Sequence, residues 1–186
     1  MIIGIVGKIG SGKSTCVKFI KNNYNQYNIY VFSCDEIAKK IIEDNPKKFN
    51  FLLVNLNDFF TNDLLQKKIR EDFHPIVFDN IKKCINNKIN KNDKQLFIIE
   101  SALPNEQMYK ICDKIICIKS SDEHILNRLI ASRNYTESKV QMIYSSQKYY
   151  EKFYDKADYV VINNGKERDF LNSVKEVIDE ICIVCK

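Results

Sequence analysis

A glycine-rich turn set between an apolar run and a helical pattern constrains this chain more than any other feature. Residues 2–6 read Ile-Ile-Gly-Ile-Val, a run that suits a buried parallel strand. Gly7-Lys8-Ile9-Gly10-Ser11-Gly12-Lys13-Ser14 then satisfies G-x-x-x-x-G-K-[ST] at every required position. Cys16, Val17, Phe19 and Ile20 follow at spacings that fit a helix packed on a sheet. Such a turn holds a nucleotide phosphate against backbone N–H groups. Gly7, Gly10 and Gly12 keep side-chain atoms out of its way, and the helix that follows aims its free N–H groups at the anion. Lys13 brings a compact positive charge to the β- and γ-phosphates, and the Ser14 hydroxyl is a ligand for Mg²⁺. Ser11 and Thr15 complete the contact set expected for ATP. Lys8 either adds positive potential or faces solvent.

The remainder alternates short apolar strands with helices. Strands are expected at 29–32, 96–99, 114–118 and 159–162, with helices from Glu36 to Ile42, from His74-Pro75, over Asp122 to Tyr150 in two pieces, and at the C-terminus. Asn45 to Asn62 reads as loops and short helices. This pattern predicts an α/β fold with a parallel sheet covered on both faces, its ligands at the carboxyl ends of the strands. The loop at 7–14, Asp35, the segment after Ile99 and Asn163-Asn164-Gly165 then share one edge.

Composition narrows the class. At 186 residues the chain suits one domain. No apolar window reaches the length of a membrane span, and no secretory leader is expected, so a cytoplasmic protein without a membrane partner is predicted. The net charge of +5 comes from scattered lysines interleaved with asparagine and acids, which does not resemble a nucleic-acid surface. The only arginines are Arg70, Arg128, Arg133 and Arg168. The cysteines read as reduced, mostly buried thiols, with Cys182-x-x-Cys185 closing an amphipathic helix and lacking a second ligand pair.

With these residues in view, the chain resembles the dephospho-coenzyme A kinases, P-loop kinases of a small substrate. The phosphate loop, Cys34-Asp35-Glu36-Ile37-Ala38, His74-Pro75-Ile76, Arg128-Leu129, Gln147 and Ala157-Asp158-Tyr159…Asn163-Asn164-Gly165 carry the likeness. It implies a three-layer P-loop NTPase fold with a five-stranded parallel sheet, a helical substrate-binding insertion and a helical lid. One kinase domain over 1–186 is expected, with its core at about 1–40, 95–120 and 155–186, the insertion at about 41–94 and the lid at about 121–154. The implied reaction moves the γ-phosphoryl of ATP to the ribose 3′-hydroxyl of dephospho-coenzyme A, with Mg²⁺, in a monomer or at most a weakly self-associating chain.

The resemblance also implies roles. Asp35 is the candidate base, or a carboxylate orienting Mg²⁺; the alternative is a helix N-cap. Arg128 is the candidate clamp on the transferring phosphate; the alternative is a surface arginine paired with Glu123 or Asp122. Arg133 is a second ATP contact from the same helix. Asn163 and Asn164 face the adenine, or form an ordinary turn. His74 shapes the substrate side, or packs and caps. His124 is expected at the surface. The chain departs from the family where Ser33 replaces the first acid of Asp-x-Asp and where Asn105 stands at the acid after the third strand; Glu100 and Glu106 are the available substitutes. Three rivals remain: a nucleoside or nucleotide kinase, a GTP-dependent switch, which the missing Asn-Lys-x-Asp disfavours, and a binding-only relative.

Overall fold

The structure, a computed structural model, describes residues 1–52, 62–90 and 92–184. Five strands run as β1 (Ile2–Val6), β2 (Asn28–Ser33), β3 (Gln95–Ser101), β4 (Lys114–Lys119) and β5 (Tyr159–Ile162). They form one sheet ordered β2-β3-β1-β4-β5, and every pairing is parallel. The strands alternate their buried side chains between two layers, as period-two geometry requires. Ile3, Ile5, Leu96, Ile98, Ile116 and Ile118 face α1 (Lys13–Asn23) and the C-terminal helix α9 (Glu167–Val184). Val6, Phe97, Ile99, Ile115 and Cys117 face the opposite layer, built around α4 (His74–Asn86) with Val77, Phe78, Ile81 and Ile85. The three-layer α/β expectation is therefore met. Each fully buried Ile or Phe contributes about 1.5–3 kcal/mol over leaving it exposed, so the sheet's two faces carry most of the stabilisation.

The remaining helices are α2 (Cys34–Asp44), α3 (Asp63–Lys68), α5 (Glu106–Ile111), α6 (Asp122–Arg133), α7 (Glu137–Gln147) and the short α8 (Glu151–Tyr154). The expectation for Asn45 to Asn62 falls partly outside the described residues; Asn50–Leu52 is a 3₁₀ turn. Cys185 also lies outside them. No helix is long and apolar enough to cross a membrane among the described residues.

Two element boundaries differ from the sequence reading. The helix expected from His74-Pro75 is the continuation of a helical path that already starts at Asp63, through a π-helical turn at Ile69–Phe73. Pro75 lacks an N–H, and its ring would strike the carbonyl four residues back in a regular helix. A wider turn directly before it makes that room. The second helix begins at Cys34, two residues ahead of expectation, because the Ser33 hydroxyl accepts from the Glu36 N–H at 3.4 Å and caps it.

Candidate functional site

The phosphate loop joins β1 to α1. Three of its glycines have positive φ, and that of Gly12, at 109°, makes it the left-handed N-cap of α1. A Cβ on Gly7 would lie 2.3 Å from the Ile118 carbonyl oxygen, so the loop hugs β4 closely. The Ser11 hydroxyl is fully buried and has no hydrogen-bond partner among the described residues. The Lys13 ammonium curls over the loop and donates to the Gly7 and Lys8 carbonyls, at 3.0 Å each. Burial lowers its pKa to about 8, against the upward pull of Glu100 and Asp35 and with a further lowering push from Arg133.

A cavity of about 620 Å³ opens in front of Lys13. Its wall includes Gly10, Gly12, Ser14 and Thr15 from the loop, Asp35 from α2, Glu100 from β3, and Arg128 and Arg133 from α6. Asp35 is exposed into this space, in the first turn of α2. Ser33 is the cap, so the N-cap alternative for Asp35 is corrected. Glu100 accepts a hydrogen bond from the Ser14 hydroxyl at 2.7 Å. Of the two substitute acids, Glu106 does not line this cavity and pairs with Lys156 at 3.1 Å on the surface. Glu100 was named only as a stand-in from sequence. The signal that could have found it is its position closing the apolar run Leu96-Phe97-Ile98-Ile99.

Arg128 is a brace. Its guanidinium donates to the Asn163 carbonyl (2.7 Å) and side-chain oxygen (3.0 Å), to Ser120 Oγ (3.2 Å) and to the Gly10 carbonyl (3.4 Å). Pairing with Glu123 or Asp122 does not occur; Asp122 instead holds Lys8 at 3.2 Å. Asn163 is 7% exposed and donates from its amide to the Ser11 carbonyl at 2.8 Å. Its side chain therefore points inward at the loop. Asn164 accepts from the Ser121 N–H at 2.7 Å and from the Ser120 hydroxyl at 3.1 Å, which fixes the start of α6. Neither asparagine lines the cavity around Lys13, nor does Ser11, whereas Gly10, Gly12, Lys13, Ser14, Thr15 and Arg133 do. Arg133 is exposed and lines that cavity without a hydrogen bond or ion pair among the described residues.

Lys8, whose role was open, is ion-paired with Asp122 and Glu151, both at 3.2 Å, and lies over the Tyr144 ring. Burial opposes its charge, but the two carboxylates outweigh burial and raise its pKa. Gln147 accepts from the Ile9 N–H at 3.2 Å. The loop is thus tied to α6, α7 and α8.

His74 does not line the main cavity. It is buried at 8% exposure, its ring centroid 6.0 Å from that of Tyr150. Burial, aided by the Arg70 guanidinium, lowers its pKa to about 4. The folded pKa lies below the ordinary 6.5, so the unfolded chain binds the proton first. Stability is full above about pH 6.5 and falls as pH drops toward 4. We expect the unfolding midpoint to drop over that window, and to drop less in His74→Gln, measured by denaturant titration at pH 7 and pH 4.5.

A glycine-rich loop on a five-stranded parallel sheet, a buried lysine and a carboxylate-bearing cavity define this protein as a P-loop kinase by fold and site. A family model described as dephospho-CoA kinase matches residues 54–169. A dephospho-CoA kinase from Fusobacterium nucleatum is 30% identical, over 97% of this chain and 98% of that protein. Among solved structures, dephospho-CoA kinase from Campylobacter jejuni superposes with a TM-score of 0.63 at 22% identity, covering 97% of this chain and 96% of that one. A shikimate kinase from Acinetobacter baumannii gives 0.55 at 16% identity, covering 97% and 92%, a likeness of fold alone. The chain belongs to the dephospho-CoA kinase family.

Proposed function

We propose that this chain transfers the γ-phosphoryl group of ATP to the ribose 3′-hydroxyl of dephospho-coenzyme A, releasing ADP and coenzyme A. The observation that carries the reading is the meeting of Lys13, the Ser14–Glu100 pair and Asp35 on one cavity. The loop amides and Lys13 hold the β- and γ-phosphates. Asp35, on the open side, accepts the proton of the attacking hydroxyl while the bond from the γ-phosphorus to the bridging oxygen breaks toward ADP. Arg133 neutralises charge on the transferring group from α6. Arg128 keeps Gly10 and Asn163 in register, so the cradle is rigid before substrate arrives. Asn163 and Asn164 serve the nucleotide by fixing the loop and the start of α6.

The donor set fits Mg²⁺. The Ser14 hydroxyl and the Glu100 carboxylate are hard oxygen ligands 2.7 Å apart, with Asp35 on the same cavity. When bound there, Mg²⁺ would offset the negative charge of the phosphate oxygens. Among the described residues no preformed group of three metal-binding side chains occurs, as suits an ion that shares its shell with phosphate and water.

We place the reaction in the cytoplasm and in a monomer. The free, buried thiols of Cys16, Cys34 and Cys117 support a reducing compartment. The segment at about 41–94 would serve the acceptor and the segment at about 121–154 the lid.

The test is an acceptor panel with ATP and Mg²⁺: dephospho-coenzyme A, nucleosides and nucleoside monophosphates. Phosphate on the 3′ position of dephospho-coenzyme A alone supports the reading; preference for a nucleoside, or no turnover at all, overturns it. The lowered Lys13 pKa adds a second check. The free protein loses the ammonium as pH rises through about 8, whereas the bound triphosphate favours the charged form. Binding therefore takes up a proton above pH 8, and Kd for ATP is expected to rise up to about tenfold per pH unit there. Calorimetric titration at pH 7 and pH 9 in two buffers of different ionisation enthalpy measures both effects.

A further inference from the structure

The four arginines are disposed differently. Arg128 braces the loop, Arg133 opens on the donor cavity and Arg168 lies exposed on α9. Arg70, in the π turn before α4, is half-buried, with its guanidinium carbon 4.4 Å from the centroid of the Tyr149 ring. Among the described residues it has no carboxylate partner and no hydrogen bond, although Glu71 and Asp72 adjoin it in sequence. Lys152 lies over the same ring at 4.1 Å. Two cations therefore share one tyrosine, and among the described residues no carboxylate pairs with either.

Through Tyr150, this spot adjoins a space that meets the cavity holding Asp35. A narrow space lined by Gln66, Ile69, Leu103, Ser146 and Tyr150 shares Leu103 and Ser146 with the cavity that holds Asp35. Tyr150 stands edge-on to Tyr149, their centroids 5.2 Å apart. The lined space thus runs from the Asp35 cavity past Leu103 to Tyr150, whose neighbour Tyr149 carries Arg70. A ring beneath the guanidinium plane leaves its N–H edges free to donate, the geometry that suits a bidentate grip on phosphate oxygens. ATP's own phosphates are served by the loop, which Arg70 does not touch among the described residues.

We propose that Arg70 is a specificity-determining residue, holding the diphosphate of the acceptor while the acceptor's ribose lies at Asp35. This rests on the reading that the acceptor is dephospho-coenzyme A, whose diphosphate joins the adenosine to the pantetheine arm. The half-buried, unanswered charge is the physical reason: it is costly in the empty protein and is compensated when an anion arrives. A nucleoside acceptor, without a diphosphate, would gain nothing from it.

The experiment compares the full-length wild type with Arg70→Met and Arg70→Lys, using dephospho-coenzyme A, ATP and Mg²⁺. In Arg70→Met, KM for dephospho-coenzyme A is expected to rise at least tenfold, while KM for ATP stays within experimental scatter and the unfolding midpoint of the empty protein does not fall. Arg70→Lys, which keeps the charge but loses the fork, recovers part of that rise. An unchanged KM for dephospho-coenzyme A in Arg70→Met overturns the inference and leaves the parent reading intact. A parallel rise in both KM values with a lowered unfolding midpoint also overturns it, assigning Arg70 to structure. A wild type that does not phosphorylate dephospho-coenzyme A overturns both.

Discussion

Asp35→Asn is expected to lower kcat by about 10²- to 10⁴-fold while leaving the Kd for ATP nearly unchanged. Asparagine fills the same volume but cannot take a proton from an attacking hydroxyl. The separation of effects follows from the geometry. ATP is gripped by the loop amides and Lys13, whereas Asp35 lies across the cavity on α2, with no hydrogen bond or ion pair to the loop. Its coupling to Lys13 is a through-space attraction that helps sustain the ammonium. Removing that charge trims the attraction slightly, which Lys13 recovers when triphosphate binds. Single-turnover kinetics with saturating ATP, together with a nucleotide titration, separate the two quantities. An unchanged kcat would move proton acceptance to another group, with Glu100 next in reach of the phosphate loop.

Gly12→Ala is expected to raise the Kd for ATP by more than about 100-fold and to destabilise the fold by roughly 3 kcal/mol. Two independent costs add. The backbone at Gly12 has φ of 109°, which an alanine rarely adopts. The new Cβ would also lie 2.2 Å from the Asn163 amide nitrogen. That amide cannot retreat freely, because it donates to the Ser11 carbonyl at 2.8 Å while its oxygen accepts from Arg128 at 3.0 Å. Either the loop opens or the brace breaks, and each removes N–H groups from the cradle. The double variant Gly12→Ala/Asn163→Ala relieves the clash and keeps the strained φ, so it should recover part of the loss against the sum of the single variants. Full additivity would show that the clash has no part in the effect.

What could be read in the sequence divides by the distance over which each feature is encoded. The phosphate loop was legible because strand, turn and helix are contiguous, and local chemistry dictates all three. Asp35 was legible because it follows a strand directly, where a parallel sheet sends side chains to the ligand edge. His74 and Pro75 were visible as a helix signal, but the wide turn that accommodates the proline depends on the helix before it. Arg128 and Asn163 drew attention as separate contacts. That they bind each other, 35 positions apart in the chain, was not recoverable from either segment alone. Lys8 looked like one more loop cation until Asp122 and Glu151 were brought to either side of it.

The sequence by itself determined the five apolar runs, the helices between them, the cradle at 7–14 and the family, since periodicity and glycine placement act within a few residues of chain. Strand order was left to the tertiary structure. By threading β3 between β1 and β2, the fold sets Glu100 level with Ile5 on one side and Ser33 on the other. Glu100 thereby reaches Ser14, and a chain that lacks the first acid of Asp-x-Asp still has two carboxylates facing its phosphate loop. The physical reason is that register and strand order are settled by burying both faces of the sheet at once, a condition on the whole chain that no single segment expresses.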